Sequence, residues 1–120
     1  MRIPCFVINK KSINRVILVG HIGNNPETRY TKDGRAVSTF SLATHEFKKN
    51  LSGEEEEKTE WHNILAWGKF GEFAEQYIKK GQLVCVEGRL KTSKWLSKEG
   101  ASLSKTEIVA SNITPLDWKA

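Results

Sequence analysis

Thr59-Glu-Trp-His-Asn-Ile-Leu-Ala-Trp67, followed after one glycine by Lys69-Phe-Gly-Glu-Phe-Ala-Glu-Gln-Tyr-Ile-Lys-Lys80, is the stretch on which the fold turns. The first run has the look of a strand, and its two tryptophans share one parity and so one face. In the second, Phe70, Phe73, Ala74, Tyr77 and Ile78 recur at i, i+3, i+4, i+7 and i+8. That spacing paints a single apolar stripe and predicts a helix over 69–80. Glu72 and Glu75 near its start and Lys79 and Lys80 at its end suit the helix dipole, and Gly81 is a natural stop. Phe70 and Phe73 are expected in the core.

Upstream, Asn14-Arg-Val-Ile-Leu-Val-Gly20 is rich in β-branched residues and predicts a strand. Gly23-Asn-Asn-Pro26 has turn chemistry, and Glu27 to Lys32 forms a short strand closed by the Asp33-Gly34 turn. Ala36 to His45 is the next strand, with Phe40 and Leu42 on one face. Lys48 to Lys58 is polar and heavily charged, which predicts a long, mobile hairpin loop. Downstream, Gln82 to Trp95 predicts a strand with Val84, Val86 and Leu90 on its apolar side and Glu87, Arg89, Lys91, Ser93 and Trp95 on the other. Gly88 interrupts the apolar side, as at a bulge or sharp barrel bend. Ser97 to Gly100 turns the chain into a last strand, Lys105 to Ile113, closed by Pro115. Five main strands with one helix after the third is the connectivity of an OB-fold, a mainly β, five-stranded Greek-key barrel with long hairpin loops. Another small α+β barrel or sandwich fits the pattern equally well.

With 120 residues the chain forms one domain with a real core. Its net charge of +5 suggests a polyanionic partner, the more so because four of its 14 acidic residues are gathered at Glu54 to Glu57. Cys5 and Cys85 form no CxxC pair, and three scattered histidines complete no zinc set, so neither a metal nor a cofactor is expected. Cys85 is expected as a small packing residue. No window of 18 apolar residues exists to span a membrane, and Met1 to Ser12 lacks the features of a signal peptide. A reducing cytoplasmic compartment follows as the expectation.

Four tryptophans are many for so short a chain. A flat ring beside cations on a solvated sheet face suits stacking against unpaired bases while the cations hold phosphates. Trp61, Trp67 and Trp95 are the candidate rings. Arg15, Lys48, Lys49, Lys69, Lys80, Arg89, Lys91 and Lys94 are the candidate phosphate contacts. Trp61 at a core or interface position, or Trp67 capping the barrel, are the competing structural roles. No P-loop, GxSxG or HExxH motif is present, and the only acidic cluster is a consecutive run, so no enzyme activity is expected.

Six collinear segments make the reading specific. Asn14 to Tyr30, Phe40-Ser-Leu-Ala-Thr44, Thr59-Glu-Trp-His-Asn-Ile64, Trp67-Gly-Lys69, Val86-Glu-Gly-Arg-Leu-Lys-Thr-Ser-Lys-Trp95 and Thr106-Glu-Ile-Val109 together resemble the bacterial-type single-stranded DNA-binding proteins, over about residues 13–114. The resemblance implies an OB-fold domain at 13–114, with an extension at 1–12 and a short end at 115–120. It implies a homotetramer that binds single-stranded DNA without strong sequence preference in replication, recombination and repair. Trp61, Trp67 and Trp95 stand at the family's stacking positions. Phe47 is the candidate for a fourth, one residue before the usual place, where Lys48 stands. His62 matches a subunit-interface position. Family members typically continue into a disordered segment with an acidic tip that recruits other proteins. This chain runs Pro115-Leu-Asp-Trp-Lys-Ala120 instead, so recruitment through such a tip is not among the expectations. Two alternatives remain open: a primosome-type OB-fold adaptor that binds protein, and RNA binding on the same barrel.

Overall fold

The computed structural model describes residues 8, 9 and 11–116. Cys5, Trp118, most of the extension at 1–12 and the end at 117–120 lie outside the described residues. The elements in chain order are β1 (Ile8–Asn9), β2 (Ser12–Ile13), β3 (Val16–Ile22), β4 (Glu27–Tyr30), β5 (Ala36–Lys49), β6 (Glu55–Trp67), α1 (Lys69–Tyr77), β7 (Leu83–Leu96) and β8 (Ser102–Pro115). β1 and β2 pair only with each other. The main sheet runs β3-β7-β8-β6-β5-β4, and β3 also pairs with β5 through His21↔Ala43 and Ile22↔Leu42. That extra pairing closes the five long strands into a barrel, leaving short β4 on the outside of β5. β6 and β8 are parallel; the other neighbours in the main sheet are antiparallel. With α1 between the third and fourth of the five long strands, this is the OB-fold expected from the element order.

Alternation along each strand builds the core. Leu42, Ile64, Val84 and Val86 point inward from β5, β6 and β7, and Ile78, just past α1, closes one end; all are essentially without solvent contact. Phe70 and Phe73 are only half-buried, packed against this core from the helix rather than within it. Ser38, the one buried polar side chain among the described residues, is satisfied twice. Its hydroxyl donates to the Gly71 carbonyl at 2.8 Å and accepts from Thr28 at 2.6 Å, joining β4, β5 and α1. Ser38→Ala strands the Thr28 hydroxyl in a half-buried place. It is expected to cost about 1–2 kcal/mol in a urea melt, with the slope unchanged.

Three expectations are corrected. The charged stretch 48–58 is not a loop: β5 and β6 run as a regular ladder to Lys49 and Glu55, leaving only a tight turn between them. The register sets Glu46 against Lys58, Lys48 against Glu56 and Lys49 against Glu55, so opposite charges face each other along the arm. The Asn50 side chain accepts from the Ser52 and Glu54 amides, and Gly53, at φ 80°, makes the turn. Leu90 is not on a packed apolar side. It is 49% exposed, because β7 and β8 continue past the barrel as a second arm whose faces both meet solvent. The helix stops at Tyr77 rather than Lys80, which leaves Lys79 and Lys80 outside its last turn. Gln82 Oε1 takes the Lys79 amide and Asn25 Oδ1 takes the Lys80 amide, each at 2.9 Å, so those donors are turned away from the helix. Two arms explain the radius of gyration of 16.9 Å, where a compact chain of this length comes to about 13.6 Å.

The bulge anticipated at Gly88 is present: Glu87 faces Asn112, while Gly88 faces Ala110. The extra residue is Ser111 of β8, and its hydroxyl donates to the Glu87 carbonyl at 3.2 Å. A Cβ on Gly88 would collide with the Val109 carbonyl, so the close approach of the two backbones requires glycine there.

Candidate nucleic-acid interface

Residues opposite one another in a sheet point to the same side. The β5–β6 register therefore sets Phe47, Ala43, Ser41, Thr39 and Val37 beside Glu57, Trp61, Asn63, Leu65 and Trp67 on the outer face. That face continues through Leu65↔Val109 into β8 and through Val109↔Arg89, Glu107↔Lys91, Lys105↔Ser93 and Leu103↔Trp95 into β7. All four aromatic candidates thus share one face. Phe47 is 65% exposed, Trp61 59% and Trp95 46%; Trp67 is half-buried. Trp61 and Trp67 stand six strand residues apart, about 20 Å at roughly 3.3 Å per residue, which leaves room for several nucleotides between them.

Each ring has its own support. Trp61 lies over Gly23, where an added Cβ would fall within contact of the indole, so the β3–β4 turn forms a floor for the ring. Asn24 fixes that turn by accepting from the Ser41 amide and hydroxyl, at 2.9 and 2.6 Å. Trp95 shares a cavity of about 460 Å³ near the tip of the β7–β8 arm with Leu96, Leu103 and Lys94. Trp67 carries the Arg35 guanidinium 5.0 Å from its ring centroid. Phe47 stands alone on the β5–β6 arm, across from Glu57.

The cations divide unevenly. Arg89 and Lys91 lie on the aromatic face and are exposed. Lys94 is on the opposite face of the same arm. Lys69 opens α1 directly after Trp67 and Gly68, with its Nζ 5.2 Å from the Phe70 ring centroid. Lys80 is exposed and tied through its amide to Asn25, in the turn that also holds Gly23. Lys48 and Lys49 face Glu56 and Glu55, on an arm that also carries Glu46, Glu54 and Glu57. Arg15 pairs with Glu87 at 3.4 Å, where β7 lies beside β3. Basic character is therefore concentrated on the β7–β8 arm, where Arg89, Lys91, Lys94, Lys98 and Lys105 outnumber Glu99 and Glu107. His62 points away from Trp61; its Nε2 meets the Thr44 hydroxyl at 3.0 Å.

Two site residues escaped the sequence reading. Lys105 faces Ser93 on the aromatic side of the arm and pairs with Glu107 at 3.4 Å. Arg35 follows a turn signal and belongs to no periodic run, and only the β5–β6 register brings it to Trp67. Among the described residues no group of His, Cys, Asp or Glu is arranged to hold a metal ion.

Exposed rings and cations share one outer face of a closed barrel with two long hairpin arms, which defines an OB-fold domain. The model of the single-strand binding protein family matches residues 13–116, and the chain belongs to that family. It is 46% identical over 110 residues to single-stranded DNA-binding protein 1 of Chlorobaculum tepidum, a match covering 91% of this chain and 68% of that one. It is 43% identical over 106 residues to the single-stranded DNA-binding protein of Xanthomonas campestris, covering 88% and 62%. The match to the Neisseria meningitidis protein of the same name is 45% over 105 residues, covering 88% and 60%. The chain thus spans 60–68% of the length of these relatives. Among solved structures, a Plasmodium falciparum SSB complex with ssDNA superposes with a TM-score of 0.83 at 35% identity, covering 92% of this chain and all of that one. A deletion mutant of the Thermus aquaticus single-stranded DNA binding protein gives 0.76 at 32% identity, covering 88% and 51%.

Proposed function

We propose that this chain binds single-stranded DNA without strong sequence preference and protects exposed strands in replication, recombination and repair. One observation carries the proposal: Phe47, Trp61, Trp67 and Trp95 share one outer face with Arg89 and Lys91. Every base has a π-face, so stacking suits any sequence, and the cations meet the phosphates between the bases. Lys69, Lys80, Lys94, Lys48, Lys49 and Arg15 are supporting phosphate contacts, with Arg15, Lys48 and Lys49 the weakest because glutamates face them. The protein acts by binding rather than catalysis.

The assembly we propose is a homotetramer. β3 leaves Ile17 56% and Val19 51% exposed on its outer face. They stand across from Glu87 and Cys85 of β7, and a second copy would cover them. His62 is proposed to lie at such a contact. Among the described residues no helix is long and apolar enough to cross a membrane.

Adding oligo(dT) at low salt is expected to quench the tryptophan emission strongly, and added salt to reverse the quenching. The log–log salt slope should be about 0.7 per phosphate contacted. Light scattering on the same samples reads the number of chains and the strands bound. Emission indifferent to oligo(dT) at low salt would remove base stacking and favour the protein-adaptor alternative.

A further inference from the structure

The contact between Arg35 and Trp67 sets that ring apart from Trp61. Its geometry is imposed by the backbone. The Thr31 amide donates to the Arg35 carbonyl at 2.9 Å, the Arg35 amide donates to the Thr31 hydroxyl at 3.0 Å, and Gly34, at φ 85°, completes the turn. One residue on, the Ala36 carbonyl accepts the Gly68 amide at 2.8 Å, and Val37 is the strand partner of Trp67. Arg35 is therefore held at the end of the aromatic row by a fixed turn.

Beside the pair lies an open cavity of about 290 Å³, lined by Arg35, Trp67, Phe70, Arg89, Val109 and Ser111. Its chemistry is divided between two aromatic rings and an apolar side chain on one hand and two guanidinium groups on the other. Among the described residues no carboxylate lies within 4.0 Å of either guanidinium. Asp33 is the nearest acid in sequence to Arg35. It forms no ion pair with Arg35, and its carboxyl is held below the usual range first by the Thr31 hydroxyl, with the Arg35 charge a smaller cause. An arginine on an indole keeps its in-plane N–H groups available, and those groups suit phosphate oxygens.

We propose that Arg35 is a DNA-contact residue, and that with Trp67 and Arg89 it forms a subsite for one nucleotide, the base against the Trp67 ring and the phosphate between the two guanidinium groups. The assignment rests on the reading of the aromatic face as a DNA surface. The test compares wild type, Arg35→Ala, Arg35→Lys, Trp67→Ala and the Arg35→Ala, Trp67→Ala double variant, titrated with oligo(dT) across a salt series, with thermal melts on each. Arg35→Ala is expected to lower affinity roughly fivefold or more at low salt and to reduce the log–log salt slope by about 0.7. Arg35→Lys should restore the slope, and the double variant should lose less than the two single losses combined, since the residues act as a unit. Unchanged slope and affinity in Arg35→Ala would reduce Arg35 to packing and overturn the assignment. Tighter binding in Arg35→Ala would also overturn it, by making Arg35 a cover that DNA must displace. Wild type that ignores oligo(dT) would bring down the whole aromatic face, and this subsite with it.

Discussion

The Trp61→Ala, Trp95→Ala double variant is expected to bind oligo(dT) roughly a hundredfold more weakly than wild type while melting at nearly the same temperature. Each stacked base contributes roughly 1–3 kcal/mol by alanine substitution. The two rings stand on different strands with separate supports, over Gly23 and in the arm cavity, so their losses should add. At 59% and 46% exposure neither ring holds the core together. Equilibrium titration by fluorescence anisotropy of a labelled oligonucleotide reads the loss, and circular dichroism reads the melt. A double variant that bound like wild type would show that the bases go elsewhere.

Gly88→Val should act in the opposite way, on stability first. The side chain would have to occupy space already filled by the Val109 carbonyl carbon, 2.9 Å from the ideal Cβ position, and the Ala110 Cα, at 3.1 Å. Both are backbone atoms of the paired strand and cannot rotate aside. Forcing them apart opens the β7–β8 ladder at the base of the arm, next to the cavity that holds Trp67 and Arg89. A cost of about 3 kcal/mol is expected from overpacking of this kind. It should lower the melting temperature by roughly 10 °C for a chain of this size. A variant melting within two degrees of wild type would mean that the bulge at Ser111 absorbs the strain.

Much of the architecture is legible in the amino-acid order, for physical reasons. The stripe from Phe70 to Ile78 marks the helix because period and burial coincide there. The shared parity of Trp61 and Trp67 gives them a common face. What escapes a sequence reading depends on partners far along the chain. Lys48 and Lys49 look like free cations because the register that sets Glu56 and Glu55 opposite them is not written locally. Leu90 continues an alternation that marks burial only as far as the barrel extends. The helix loses its last three residues because Asn25, in a distant turn, takes the Lys80 amide. Arg35 reaches Trp67 only through the pairing of Val37 with Trp67. Phe47 shares the parity of Trp61's partner, Ala43, so its place on the aromatic face is visible once the pairing is known.

The two hairpin arms extend past the barrel with solvent on both sides. They hold little of the apolar packing that keeps the domain folded, yet they carry Phe47 and Trp95, and the β7–β8 arm carries an excess of positive charge. If the proposed contacts hold the DNA, strand-handling and foldedness are written in largely separate parts of the polypeptide. Substitutions near the arm tips can retune grip, reach or ionic sensitivity at small thermodynamic cost, which gives evolution and protein engineers alike a region where function is free to drift.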